Sequence, residues 1–245
     1  LLSWNAAFEK IGYRDAVQVR PYPRDDASFD PNDIKFSCVK YANTMGESLS
    51  SSARIDPRSG EILSATICIP HNVTSRIRTD LFVQLGAADP DARRVKMSPE
   101  LFGKALAADV ARHTGACLGL AVNYAGSYCV PVDSLRSPSF TQRYGISASI
   151  MDELPYNLVA QPGDKERGVA LMQQGPGVYD EYVVDWLYRP VPGAATPEDE
   201  VAELDRRIAA RRSDPMCLYT PPPVAVALDP RSMPYNLGDD PVRAA

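Results

Sequence analysis

A mixed fold, α/β or α+β, is what this sequence predicts, because strand-period and helix-period segments alternate through its first half and capped helices follow. Its 245 residues and 44% apolar content suffice to bury a real core between those elements.

In chain order, apolar residues recur at helical spacing from Trp4 to Ile11, and residues 16–19 read as a short strand before the turn-rich PYPRDD. A second strand is expected over residues 34–41. The DPRSG at 56–60 carries turn chemistry, and residues 61–69 alternate with β-branched side chains until Pro70 stops them, as a strand closing a hairpin or lying at a sheet edge would. Helical periodicity then covers residues 71–85, ahead of the polar loop GAADPDARR. Ser98-Pro99-Glu100 opens the most informative helix: Ser accepts orphan amide bonds and Pro suits the first helical position. It runs to about Leu118, where Gly119 stands ready for a left-handed cap. Phe102, Leu106, Val110, His113, Cys117 and Leu120 share one stripe of it, the spacing of a buried face. Residues 121–175 are rich in Gly, Ser, Pro and Asn, long for a connection and therefore expected to be a functional loop region. A helix with inward aromatic residues follows over 179–187. Thr196-Pro197-Glu198 opens a last long helix to about Arg212 with a solvated charged face, and a Pro-rich extended arm is expected from Pro215. The closing GDDPVRAA reads as the start of another helix, and the chain is expected to be a piece of a longer polypeptide.

Composition excludes several functions. A net charge of −5 and a pI near 5.1 argue against nucleic acid, which needs clustered Lys and Arg. No apolar run reaches the eighteen or so residues of a spanning helix, and LLSWNAAFEKIG lacks the order of a signal peptide. Five cysteines without C-x-x-C spacing point to neither a zinc knuckle nor a full disulfide framework, though one pair stays open. With only His71 and His113, a site of three imidazoles is excluded by counting.

The stretch VARHTGACLGLAVNYAGSYCVPVDSLRSPSFTQ, followed by SIMDELPYNLVAQPGD, resembles a family of large bacterial zinc-dependent metalloproteases of the metzincin type, whose HExxHxxGxxH helix precedes a Met-turn. WNAAFEKIG, DPRSGEI and PGVYDEYVVDWLY extend the likeness from Trp4 to about Pro192. The resemblance implies a twisted mixed sheet of four or five strands with the long helices on one side. It also implies an edge strand over the cleft, assigned to residues 61–69, and a place in the periplasm or outside a bacterial cell. Residues 1–192 then form the catalytic-type domain, and 193–245 a C-terminal helix and arm.

In that family two His one helical turn apart and a third beyond the Gly hold zinc, and a Glu beside the first His works on the zinc-bound water. On this chain the Gly is Gly119 and the Met-turn methionine is Met151, but the ligand positions fall at Arg112, Ala116 and Val122 and the general-base position at His113. The expectation is a degenerate site with no zinc: a pseudo-peptidase that binds a peptide or protein segment in its groove, near Tyr156 and Asn157, or supports neighbouring domains. The alternative is an active metallopeptidase with a non-standard site at His113, Cys117 and Asn123 or a nearby carboxylate, although one helical residue turns a side chain by about 100° away from the catalytic face. A third expectation closes the groove with Arg112 and Tyr156. His71 reads as a surface or capping residue. Ser127, Ser134, Ser137 and Ser139 read as turn residues, since no G-x-S-x-G elbow is present, and Asp152, Glu153 and Asp164 as solvated loop acids.

Overall fold

The structure, a computed structural model, describes residues 1–153, 156–222 and 229–244. A 3-10 turn at Leu2–Trp4 runs into helix α1, Asn5–Glu9. Residues 16–19 form no strand: the Asn5 side chain bonds both backbone groups of Val17, at 2.8 and 2.9 Å, and leaves nothing to pair with a neighbour. Strand β1 starts only at Cys38 and ends at Ala42, because turns at Asp30–Asp33 and Asp33–Phe36 occupy the residues before it. Strand β2, Ser50–Ile55, follows, and β3, Ile62–Pro70, completes the sheet.

The sheet is mixed as expected, but among the described residues it has three strands rather than four or five, in the order β1-β3-β2. β1 runs parallel to β3, and β2 pairs antiparallel to it. The assignment of residues 61–69 to the edge is therefore corrected: β3 is central, and the antiparallel edge belongs to β2. Ile67 of β3 shows why, since it is buried with partners on both sides, Val39 and Ser51.

Helix α2, Val73–Leu85, lays Val73, Ile77, Leu81 and Leu85 on the sheet, one residue every four, so a single stripe is fully buried. Helix α3, Pro99–Cys117, begins where the capping signal places it: Ser98 Oγ accepts from Leu101 N at 3.1 Å. Leu101, Phe102, Leu106, Val110 and Cys117 join the same core. On the other side of α3, Trp4, Ala7, Phe8, Ala111, Leu120, Ile150, Met151 and Val184 make a second core, and Trp4 Nε1 donates to the Ala111 carbonyl at 2.8 Å.

The region 121–175 holds two short helices, α4 (Ala125–Tyr128) and α5 (Pro138–Tyr144), so it is less bare than its composition implies. Ser137 Oγ caps α5 by accepting from Phe140 N, and Ser127 is buried, so both serve the backbone. Helix α6, Val178–Tyr188, and helix α7, Pro197–Arg211, stand where expected. Asp199 accepts from the Thr196 amide at 2.9 Å, and Arg207 ties α7 to α6 through the carbonyls of Asp185 and Arg189. The expected arm opens with a 3-10 turn, Pro215–Cys217, and residues 223–228 of it lie outside the described residues. Helix α8, Pro241–Ala244, matches the start read from GDDPVRAA. All five cysteines are free, and no helix among the described residues is long and apolar enough to cross a membrane.

Candidate functional site

The site is built on the last two turns of α3 and the segment under them. Gly119 ends the helix with φ of +92°, a conformation open to glycine and costly for other residues, and the Leu120 amide bonds back to the Gly115 carbonyl. Asn123, fully buried, donates its backbone N–H to the Met151 carbonyl at 3.2 Å, so the return segment is tied to the Met-turn. Met151 itself is 1% exposed and lies against Gly115: a Cβ there would meet Met151 Sδ at 2.5 Å and the Trp4 ring at 2.6 Å. Glycine is required at 115 because sulfur and indole fill its place.

Asp180 fixes the Met-turn from the other side. Fully buried near the start of α6, it accepts from Ser149 Oγ at 2.6 Å and from the amides of Ile150 and Gly177, both at 2.7 Å. Burial nevertheless pushes its carboxyl up to about 7, against the pull of these donors. Asp152, the residue after Met151, accepts from Ser127 N at 2.7 Å and Ser147 Oγ at 3.3 Å, and burial raises it to about 7 as well. Asp164 is held by Arg136 and Arg167 and sits well below the usual carboxylate range, chiefly through its bond to Arg136. Asp152 and Asp164 are thus buried and bonded; the reading as solvated loop acids is corrected for both.

Above this buried layer, the four aligned positions separate by face. Of the three expected ligand positions, Ala116 is exposed and Arg112 and Val122 are half-buried; Gly119 is exposed. His113 turns away from them. Its Nδ1 shares a 2.9 Å hydrogen bond with Ser51 Oγ on β2, while Cys117 Sγ reaches the Ser52 carbonyl at 4.0 Å. Burial first, and the neighbouring Arg112 charge second, pull the imidazole down to about 4, so it is neutral at physiological pH. Burial likewise raises the Cys117 thiol, which disfavours a thiolate ligand.

Tyr156 and Asn157 do not line an open groove. Tyr156 is 3% exposed in the first core beside Arg76, Asp80 and Asp109, and Asn157 is fully buried, its amide donating to the carbonyls of Leu135 and Ala170. Closure of the site by Tyr156 is corrected on the same ground. His71, exposed, bonds the Tyr41 hydroxyl.

A family model described as Met-zincin matches residues 94–245, more than half of the chain, and covers this helix, its glycine and the Met-turn. The chain belongs to the Met-zincin family. No curated protein and no solved structure matches it. Met-zincin membership brings zinc into question, and the donor set answers it: a guanidinium, a methyl and an isopropyl group at positions 112, 116 and 122 offer no lone pair to a metal. The residues present do not fit the ion. Among the described residues no three His, Cys, Asp or Glu side chains converge.

Sequence reasoning missed Ser51 and Asp180. For Asp180 a signal existed, an acid three residues into a helix that starts at Gly177, the position from which a carboxylate reaches back to the cap amide. For Ser51 there was none, because its partner lies on an element 62 residues away.

Proposed function

We propose that this Met-zincin domain is a pseudo-peptidase: it holds an extended peptide or protein segment along the open edge of β2 and does not hydrolyse it through zinc. The observation that carries this is the contrast within one helix end. The positions that would bind metal carry Arg112, Ala116 and Val122, while Gly119, Met151 and the antiparallel edge strand that frame a substrate remain in place. Backbone pairing to an edge strand draws on main-chain N–H and C=O groups and needs no metal. A structural metal contributes on the order of 10 kcal/mol in small zinc domains, but a chain of this size, with separate cores on both sides of α3, is not organised by an ion alone.

Elemental analysis of the purified protein, after exposure to zinc and removal of the excess, tests the reading. Near-zero zinc is expected; stoichiometric zinc would overturn it. The variant Arg112→His, His113→Glu, Ala116→His, Val122→His checks the assignment of positions, since it restores three imidazoles and the carboxylate and should take up about one zinc per chain. A folded quadruple variant that binds no zinc would mean that other residues face the cleft.

A further inference from the structure

Resting on the peptide-binding reading, we infer that Arg112 is a carboxylate clamp: its guanidinium, at the first former ligand position, takes a carboxylate of the bound peptide. The first observation is the company Arg112 lacks. Arg76 and Arg207 are the other arginines withdrawn from full exposure, and both are saturated: Arg76 by Asp80, Asp109 and the Glu47 carbonyl, and Arg207 by Glu203 and the carbonyls of Asp185, Arg189 and Pro190. Arg112 is half-buried, yet among the described residues no carboxylate or carbonyl accepts from it. Its nearest acid in the helix, Asp109, three residues back, is engaged by Arg76. A cation partly withdrawn from water and left without an acceptor is costly, and a ligand anion removes that cost.

The second observation is the space beside it. One turn on, Ala116 is exposed, and Gly119 and Ala121 beyond it are exposed too, so no side chain larger than a methyl group stands at these three positions. Such a gap admits the planar, two-oxygen face of a carboxylate against the planar fork of the guanidinium, the geometry in which Arg makes its strongest bonds. A phosphate would call for a second cation, and Ala116, Gly119 and Val122 supply none. The carboxylate has two sources, a peptide C-terminus and an Asp or Glu side chain, and they share this chemistry.

Fluorescence anisotropy with three N-terminally labelled eight-residue Ser/Val/Ala peptides separates them: one with a free C-terminus, one amidated, and one amidated with an internal Glu. At least one acid peptide is expected to bind about tenfold tighter than the neutral amidated one, which corresponds to a single charge-assisted pair. Preference for the free C-terminus assigns the terminal carboxylate, and preference for the Glu peptide assigns a side chain. Arg112→Gln should erase the difference while leaving the neutral peptide's affinity unchanged, and Arg112→Lys should restore part of it. The comparison of peptides on the unsubstituted protein stands even if the variants fold poorly. Equal binding of all three, or a preference that survives in folded Arg112→Gln, overturns the clamp and leaves edge pairing intact. Binding of none at millimolar peptide overturns both the clamp and the peptide-binding reading.

Discussion

Helix α3 has two sides that differ in packing. Its underside, through Ala111 and Gly115, presses on Trp4, Met151 and the Met-turn that Asp180 anchors, with every group buried and nearly every polar atom bonded. Its open side, with Ala116 and Gly119 exposed and Arg112 half-buried, contributes nothing to either core. The difference teaches that the helix end and the Met-turn are secured from below, by contacts that do not involve Arg112, Ala116 or Gly119.

The largest test of that separation is Asp180→Ala. It strands a hydroxyl and two amides in a fully buried place, each costing about 1–3 kcal/mol, so a loss of about 4 kcal/mol is expected in urea unfolding. A loss under about 1 kcal/mol would show that the Met-turn does not depend on this anchor. Next in size is the adjacent pair Gly115→Ala and Ala116→Leu. The first pushes a methyl group into Met151 and the Trp4 ring and should cost about 1–3 kcal/mol; the second projects into solvent and should stay within about 0.5 kcal/mol. Equal costs at these two neighbouring positions would erase the distinction between the faces.

Much of the underside was legible in the sequence, and the reason is local. Ser98 and Gly119 bound α3 by backbone rules that need no partner, and the spacing from Gly119 back to Arg112 and Ala116 fixes which residues share a face once the helix is granted. What stayed illegible depends on distant chain. β2 reads Ser-Ser-Ser-Ala-Arg-Ile, with no apolar alternation to mark it, and becomes a strand because β3 offers it an edge. Tyr156 and Asn157 look like polar loop residues until Leu135, Ala170 and the α2–α3 ion cluster enclose them.

Stability against pH sharpens the comparison at lower amplitude. Asp152 and Asp180 titrate near 7 in the folded chain and near 3.8 unfolded, so between those values the folded state holds protons that the unfolded state has released, and stability falls as pH rises through that window. His113 acts in the opposite sense: folded it titrates near 4, unfolded near 6.5, so its contribution grows with pH across that interval. Urea midpoints measured from pH 5 to 7.5 should therefore decline for the unsubstituted protein, less steeply for Asp152→Asn and more steeply for His113→Gln. A rising midpoint in the unsubstituted protein would mean that the two buried acids are ionised throughout.

The smallest expected effect decides what His113 is for. Occupying the general-base position in sequence yet turned toward β2, it is either a relic of chemistry or a tie between helix and edge strand. A half-buried bond between neutral groups contributes about 1 kcal/mol, so Ser51→Ala should cost that much and His113→Gln a similar amount. Their double variant should cost less than the sum, because one bond is lost only once. Additive losses would detach the histidine from the strand and return it to the open side of α3. Sub-additive losses fix β2 against the helix through this pair, which means that the strand proposed to receive a peptide is held in place by His113.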